Sequence, residues 1–269
     1  MKKKILVCYL CTPYVSKKVF IDFISNYKKF SSGHEHKLLI CFKNLDKYMI
    51  KFYKKLLGKI KYWNFIDKEK KNDFDFKSYY RVAKKYKEYL IFFLNSQSYP
   101  IVNNWLKLIV KNYKPNRFIG TSGSYESISS MSLYRNKSEN YLSFFLRIVK
   151  TLIFFPLFPN PHIRTSSFFI SANDYLKYEF KKNYLNKFDA WRTESGRNSL
   201  TNFFKKKNFE IIIVNSDGNI FFEKDWRKSD TYATKNQEKL IISDKRTRKY
   251  LDFKKNDKKI KEKIVWGLN

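Results

Sequence analysis

The chain has 269 residues, enough for one large domain with a full hydrophobic core. Its 56 Lys and Arg residues against 24 Asp and Glu give a net charge of +32, a balance often found in proteins that bind nucleic acid or anionic membranes. Only 10 of these cations are Arg, and the lysines are spread along the whole sequence. We therefore interpret the charge mainly as solvated surface, with nucleic acid as the weaker candidate partner.

The cysteines and the missing sequence signatures exclude several classes of protein. Cys8, Cys11 and Cys41 lie in apolar surroundings and are too few for a disulfide framework, so we expect reduced thiols and a cytoplasmic protein. Peripheral attachment to the inner face of a membrane stays open as an alternative. The sequence contains no P-loop, no dinucleotide-binding Gly-x-Gly-x-x-Gly and no Gly-x-Ser-x-Gly elbow.

The first half of the chain alternates apolar runs with amphipathic segments, which predicts βαβ units and a mostly parallel sheet. The predicted strands are 5–10, 37–42, 60–65, 89–94 and 118–120, and the predicted helices are 19–30, 46–57, 79–89 and 104–113. An acidic stretch, 67–75, precedes the third helix, and Asp73 or Asp75 is a candidate for its cap.

The second half is less regular. Residues 127–140 have the composition of a mobile stretch. The apolar run 151–159 ends in prolines and is too short to cross a bilayer, so we expect a loop packed on the core. Contact with a membrane surface or with an acceptor groove is the alternative. A strand at 163–171, a helix at 173–180, a helix opening at Glu194 and a strand at 209–214 follow.

These elements predict a single α/β domain, with a mostly parallel sheet flanked by helices. Polar residues follow the strand that ends at Leu94, and a carboxylate, Glu194, precedes another strand. Ligands of open α/β sheets bind at the carboxyl ends of the strands. We therefore expect a ligand crevice where these two segments meet.

Several segments resemble bacterial glycosyltransferases of the GT-A type, especially an uncharacterised subgroup similar to family 2. They are FLNSQS at 93–98, GTSGSYES at 120–127, PNPHIRT at 159–165 and ESGRNSLT at 194–201. The resemblance implies a GT-A-like, Rossmann-like domain that transfers a sugar, with inversion, from a nucleotide-sugar donor to a glycan or lipid-linked acceptor in surface polysaccharide synthesis. It also implies a donor-binding half, residues 1–125, and an acceptor-binding and catalytic half, residues 126–269.

The resemblance gives Glu194 the role of general base, which takes the proton of the acceptor hydroxyl. The alternative is structural, because a carboxylate in the first turn of a helix also stabilises the helix dipole. At the position of the family's metal-binding Asp-x-Asp motif the chain has Asn95, Ser96 and Gln97. Weak binding of Mg²⁺ or Mn²⁺, metal-independent transfer aided by Arg164 or lysines, and an inactive, degenerate fold are the three outcomes that remain open.

Further site residues are candidates only. Asp75 and Ser124 are candidates for donor contacts, and each has a structural alternative, a helix cap or a simple turn. His162 and Arg164, held between prolines and Thr165, are candidates for acceptor contacts. Trp226 and Gln237, with Asp244 nearby, are further candidates in a closing segment similar to that of the subgroup.

A function of another class competes with the enzyme. Lysines alternate with aromatic residues in stretches such as 51–55 and 84–87, a pattern that suits stacking on bases together with neutralisation of phosphates. The alternative is therefore a basic protein that binds nucleic acid or an anionic membrane, with steeply salt-dependent affinity.

Overall fold

The computed structural model describes residues 4–69, 73–135 and 138–267. The strands are β1 (Lys4–Cys11), β2 (Lys37–Lys43), β3 (Trp63–Asp67), β4 (Tyr89–Leu94), β5 (Tyr99–Pro100), β6 (Arg117–Gly120), β7 (Gly123–Ser124), β8 (His162–Ile163), β9 (Ser167–Ser171), β10 (Glu210–Val214), β11 (Ile220–Phe222) and β12 (Ile242–Ser243).

The helices alternate with these strands through the first half of the chain and dominate the second. They are α1 (Lys17–Lys29), α2 (Lys47–Leu57), α3 (Phe74–Lys85), α4 (Trp105–Val110), α5 (Ile128–Ser132), α6 (Tyr141–Phe154), α7 (Ala172–Tyr175), α8 (Lys187–Ser195), α9 (Leu200–Lys206), α10 (Lys245–Leu251) and α11 (Lys255–Trp266), with a 3-10 helix at Glu223–Ser229. Within the described ranges, no helix combines the length and apolarity needed to cross a bilayer.

The core of the protein is one eight-stranded sheet in the order β11-β10-β6-β9-β4-β1-β2-β3. Most neighbouring strands are parallel, and β9 and β11 run against their neighbours. Strands from residues 126–269 lie beside strands from residues 1–125 in the same sheet, so the two halves share one core. The predicted α/β class, with a mostly parallel sheet flanked by helices in a single domain, is confirmed.

Both faces of the central strands are covered, which explains their continuous apolar sequences. In β1, Leu6, Cys8 and Leu10 belong to the hydrophobic cluster on one face. Ile5, Val7, Tyr9 and Cys11 alternate with them and belong to the cluster on the other face. All three cysteines are free and buried.

The reversed strand β9 determines what lies at the site edge of the sheet. Leu94, the last residue of β4, is opposite Ser167, the first residue of β9. The segment that enters β9 therefore lies beside the turn that leaves β4, and Asn95 N–H donates to the Ser166 carbonyl over 3.0 Å. Two segments distant in sequence thus meet at one edge.

Several predicted boundaries are wrong. Helix α3 begins at Phe74 rather than 79, and its N-cap residue Asp73 is engaged by Lys43 and Arg81 instead of capping the helix. The strand predicted at 163–171 is split into β8 and β9, and the helix predicted at 173–180 is reduced to α7. The stretch 127–140 contains α5, and its residues 136 and 137 lie outside the described ranges.

Two of these corrections bear on function. The run 151–159, expected as a loop, begins inside α6, a 14-residue helix. Glu194 does not open a helix; it lies in the last turn of α8, and the next helix, α9, begins at Leu200. Gly196 ends α8 and Ser199 caps α9 by accepting from the Asn202 N–H. The polar ESGRNS sequence thus makes a helix end and a new start within a few residues.

Candidate functional site

A polar cavity of about 310 Å³ lies at the edge of the sheet where β4 ends and β9 begins. Its walls come from the segment after β3, the turn after β4, the entry to β9, helix α8 and helix α10. The lining residues are Phe74, Asp75, Phe76, Asn95, Gln97, Arg164, Thr165, Ser166, Lys187, Ala190, Trp191, Glu194, Asp244, Lys245 and Arg246. The predicted crevice at the strand ends therefore exists, and it contains four cationic and three carboxylic side chains.

A larger cavity of about 630 Å³ adjoins it between helices α5, α6 and α8. Its wall is mainly apolar, with a polar end. The lining residues are Glu126, Ile128, Met131, Ser132, Tyr134, Leu146, Arg147, Lys150, Thr151, His162, Phe188, Trp191, Glu194, Ser195 and Arg246. All of them belong to residues 126–269, the half predicted to hold the acceptor.

Three residues, Trp191, Glu194 and Arg246, line both cavities. Trp191 and Glu194 are three residues apart on α8, a spacing that puts side chains on the same face of a helix. A ligand in the polar cavity and a ligand in the apolar cavity would therefore meet at Glu194.

The Glu194 carboxylate is fixed by the strand entry opposite. The N–H and the hydroxyl of Thr165 both donate to Glu194 Oε1 over 2.9 Å. Burial alone would raise the pKa of Glu194, but the charge of Arg246 and the Thr165 hydrogen bonds outweigh burial and hold the pKa below its ordinary value. Glu194 is therefore ionised at neutral pH and able to accept a proton.

The pKa of Asp75 is raised, whereas that of Glu194 is lowered. It lies in the first turn of α3 and lines the polar cavity. Burial raises the pKa of Asp75 to about 6, Lys43 counteracts this, and the negative charge of Glu194 adds to it. The structural alternative for Asp75 was the helix cap, but the N-cap position of α3 is occupied by Asp73. Asp75 therefore changes its charge close to neutral pH, in a cavity where Glu194 keeps its own.

Arg164 is buried and engaged by other protein groups. It forms an ion pair with Asp244 at 2.9 Å, donates to the Ser122 hydroxyl and lies over the Tyr232 ring at 3.7 Å. Asp244 also accepts from Ser166 and caps α10, and Arg164 outweighs its burial, so the pKa of Asp244 lies below its ordinary value. This pair joins α10 to the strand entry.

The polar turn after β4 is also held by internal hydrogen bonds. Asn95 Oδ1 accepts from the Gln97 N–H and from the Ser98 hydroxyl, and Arg248 donates to the Gln97 carbonyl over 3.1 Å. The Ser96 carbonyl accepts from Tyr9. Asn95 and Gln97 line the polar cavity, whereas Ser96 borders a small void near Tyr9.

The oxygen atoms of this turn and of Asp244 are already engaged by donors within the protein. Hard divalent cations select uncommitted carboxylate and carbonyl oxygens, whereas Asn95 Oδ1 and the Asp244 carboxylate already accept two or more hydrogen bonds each. Among the described residues, no group of three or more His, Cys, Asp and Glu side chains converges in a way that could hold a metal. These observations concern a preformed cage only, since Mg²⁺ is usually bound by one or two carboxylates together with substrate phosphates.

The other predicted site residues are divided between the cavities and the core. His162 lines the apolar cavity, and its Nδ1 lies 2.7 Å from the Asn160 carbonyl. Burial lowers its pKa, so the ring is neutral at neutral pH. Ser124 is buried in β7 and its hydroxyl accepts from the Glu126 N–H.

Trp226 and Gln237, predicted as acceptor contacts, line neither cavity. The Trp226 indole is fully buried and donates to the Phe221 carbonyl, and it covers Gly123, where a Cβ atom would lie 2.6 Å from the ring. The Gln237 side chain joins Ala233 N–H to the Thr247 carbonyl. Their surroundings are those of core residues.

Sequence reasoning missed Trp191, Arg246 and Lys187. Trp191 and Glu194 lie on the same helix, α8, which ends at Ser195. The helix predicted from the sequence begins at Glu194, so it leaves Trp191 outside. Asp244 and Thr247 form a capping box in the structure, and this D-x-x-T pattern is a readable signal for the helix start that carries Arg246. Lys187 had no signal among the 46 lysines of the chain.

Comparison with known proteins identifies no family. No family model matches the chain, and no curated protein matches it in sequence. Solved structures with a similar fold include 4-diphosphocytidyl-2C-methyl-D-erythritol synthase from Anaerococcus prevotii, with TM-score 0.46, 12% identity, and coverage of 79% of this chain and 88% of that one.

Two other structures show the same general similarity. The mannosyltransferase Ktr4p from S. cerevisiae has TM-score 0.37 and 15% identity, covering 66% of this chain and 59% of that chain. HddC from Yersinia pseudotuberculosis, complexed with GMP-PN, has TM-score 0.40 and 10% identity, covering 67% and 84%. These TM-scores and identities are too low to transfer a function.

Proposed function

We propose that this protein is a glycosyltransferase that moves a sugar from a nucleotide-sugar donor to a glycan or lipid-linked acceptor. The observation that carries the proposal is the position of Glu194, an ionised carboxylate shared by a polar cavity at the strand ends and an apolar cavity beside it. A transfer reaction between two substrates needs a proton acceptor where they meet.

In the proposed reaction the donor occupies the polar cavity, with its sugar directed toward Glu194. The acceptor hydroxyl enters from the apolar cavity and gives its proton to Glu194 while its oxygen attacks the anomeric carbon. The bond from that carbon to the diphosphate breaks, the nucleoside diphosphate leaves, and the configuration inverts. Thr165 holds the carboxylate in place by its two hydrogen bonds, which limits the reorganisation needed for the transfer.

Cationic side chains would meet the charge of the leaving diphosphate. Arg164 is committed to Asp244, so we assign the phosphate contacts to Lys187, Lys245 and Arg246, which line the polar cavity. Fixed positive groups stabilise a developing negative charge in the transition state. The proposal therefore favours metal-independent transfer, of the two modes compatible with an active enzyme.

The remaining donor contacts fall to the segments after β3 and β4. Asn95 and Gln97 offer amide groups, and Asp75 is suited to accept from a ribose hydroxyl when ionised. We place the reaction in surface polysaccharide synthesis at the cytoplasmic side of the membrane, on the sequence resemblance to the bacterial subgroup.

Thermal unfolding with a panel of UDP-, GDP-, dTDP- and CMP-sugars, each with Mn²⁺ and with EDTA, tests this proposal. A ligand at about 100 times its dissociation constant adds about 2.7 kcal/mol to the free energy of unfolding, and therefore several degrees to the melting temperature. We expect one donor class to stabilise the protein equally in EDTA. Stabilisation only with Mn²⁺ would contradict the metal-independent mode.

The same panel distinguishes the glycosyltransferase from the alternative function, a basic protein that binds nucleic acid. No shift with any donor, together with salt-sensitive binding to single-stranded nucleic acid, would favour the basic binding protein instead.

A further inference from the structure

Helix α6 packs on the protein through a narrow side that includes Thr151, and six of its apolar side chains face outward. Thr151 is its one buried residue within the described part of the chain, and the Thr151 hydroxyl bonds to the Ser132 hydroxyl at 2.6 Å. The Ser129 hydroxyl donates to the Thr151 and Phe155 carbonyls. A helix on the surface of a water-soluble domain normally buries its apolar stripe, whereas much of the apolar surface of α6 is exposed.

The outward side forms a continuous apolar stripe. At about 100° per residue, the exposed apolar residues of α6 fall within an arc of about 140°. They are Tyr141, Leu142, Phe145, Leu146, Val149 and Ile153. Tyr141 is 76% exposed and Phe145 is 62% exposed. Most of this apolar surface is therefore available for contact with another molecule.

The stripe continues to the mouth of the apolar cavity. Leu146 belongs to the stripe and also lines that cavity, with Met131 and Tyr134, which are themselves exposed. The surface that surrounds the opening is therefore apolar. Exposed apolar patches of this kind mark an interaction surface.

The charges around the stripe are positive. Helix α6 contains Arg147 and Lys150 and no carboxylate, and Glu139 is the only acidic residue in positions 127–160 of the sequence. Glu139 is paired with Arg147 at 2.6 Å. Arg135 lies over the Tyr141 ring at 4.5 Å, and Lys150 lies at the edge of the stripe.

We propose that the α6 stripe docks on the surface of a membrane that contains anionic lipids, with the apolar side chains in the interface and the cations at the head groups. At about 1.5 Å per residue the helix is about 21 Å long, less than the roughly 30 Å of a bilayer core, so it lies along the surface. A hydrophobic face rimmed by cations is the composition of interfacial helices.

Charge favours a membrane over a second copy of the chain. Two copies that packed stripe to stripe would place the same cations, Arg135 and Lys150, on both sides of the interface, since a two-fold interface uses the same patch twice. Like charges would repel there, whereas anionic lipids attract the same cations.

Docking in this orientation would open the apolar cavity toward the bilayer. This orientation favours a lipid-linked acceptor over a free glycan. The choice of acceptor rests on the proposed function. The docking itself does not depend on any transfer reaction.

Vesicle sedimentation with two matched double variants tests the docking. Tyr141→Glu/Phe145→Glu changes α6, and Tyr48→Glu/Phe52→Glu makes the same changes, at the same spacing, on the exposed face of α2. We expect the full-length protein to bind phosphatidylcholine vesicles that contain phosphatidylglycerol. The α6 variant should bind at least about tenfold more weakly, and the α2 variant should stay within about twofold of the original.

Each other outcome overturns the proposal. Equal losses in both variants would mean that net charge alone drives binding, and no loss in either would mean that α6 is not involved. Absence of vesicle binding, with a dimer that the α6 variant converts to a monomer, would assign the stripe to a second copy. Donor-induced thermal shifts measured on the same variants report donor binding and not docking. Failure of the docking proposal can therefore be told apart from failure of the proposed function.

A fluorescent label shows whether α6 enters the interface. Cys8, Cys11 and Cys41 are buried, so an environment-sensitive dye would attach selectively to Val149→Cys or, as the control, to Tyr48→Cys. With anionic vesicles we expect a blue shift and brighter emission at position 149 and no change at position 48. Unchanged emission at position 149 would contradict insertion of the helix.

Discussion

The two cavities that meet at Glu194 are built on different principles. The polar cavity lies on strand ends, and its groups are fixed by hydrogen bonds such as those from Thr165 to Glu194 and the pair between Arg164 and Asp244. The apolar cavity lies between helices α5, α6 and α8, and one of its walls, α6, turns its apolar side outward.

This difference indicates that the polar cavity holds its groups in fixed positions and that the apolar cavity can adapt to its ligand. A sheet edge holds its connecting turns within narrow limits because the strands on both sides are hydrogen-bonded, which suits the placement of reacting groups. A cavity between helices with an exposed apolar rim suits a long or variable ligand. Substitutions in the two cavities should therefore have different effects on stability, turnover and binding.

Arg164→Met should separate structural from binding cations in the polar cavity. Removing one partner of a buried ion pair leaves Asp244 uncompensated, and we expect a loss of about 3 kcal/mol or more in the free energy of unfolding, measured by urea denaturation. Arg246→Met, at an exposed position in the same cavity, removes a charge that lowers the pKa of Glu194, so it should cost about 1 kcal/mol, less than Arg164→Met, and also weaken donor binding. Equal destabilisation by both variants would contradict this distinction.

Glu194→Gln should remove the proton acceptor while keeping the carboxamide within reach of Thr165. We expect donor binding to persist and turnover to fall at least about 100-fold, or about 2.7 kcal/mol in activation free energy. Glu126→Gln is the matched control, because Glu126 lines the apolar cavity alone and pairs with Lys261. Full turnover in the Glu194 variant would exclude it as the base.

Asp75→Asn should change the pH dependence of stability. The folded-state pKa of about 6 exceeds the ordinary 3.8, so the unfolded chain ionises first and the free energy of unfolding falls as the pH rises from about 4 to 6. We expect the variant to lack this fall and to be more stable than the original protein at pH 7.5 by roughly 3 kcal/mol. Asp252→Asn, at an exposed position, should leave the pH profile unchanged. Identical profiles for the original protein and the Asp75 variant would contradict the raised pKa.

Leu146→Ser and Ile153→Ser should show which part of the α6 stripe belongs to the apolar cavity. The two side chains are 58% and 59% exposed, but only Leu146 lines the cavity. We expect Leu146→Ser to weaken binding of a monomeric alkyl glycoside about fivefold, since about 1 kcal/mol of apolar contact is lost, and Ile153→Ser to leave it unchanged. Equal weakening would mean that the probe binds the stripe and not the cavity.

The sequence by itself determined the sheet and the place of the site. Apolar runs such as 5–10 and 89–94 are typical of strands buried on both faces, and a polar turn after such a strand is expected at the sheet edge. Asp75, Asn95, Gln97 and Glu194 were predicted in this way or by resemblance, and all four line the polar cavity. Arg164, predicted as an acceptor contact, lines the polar cavity and not the apolar one, and it is paired with Asp244.

Only the tertiary structure decided which polar residues face a cavity and which form hydrogen bonds inside the core. Gln237 and Trp226 look like ligands in sequence, yet each has a buried backbone partner. The end of α8 at Gly196, the reversal of β9 beside β4 and the outward side of α6 all depend on contacts between segments far apart in sequence. Local patterns carry no record of such contacts, because a side chain's partners are set by packing and not by its neighbours along the chain.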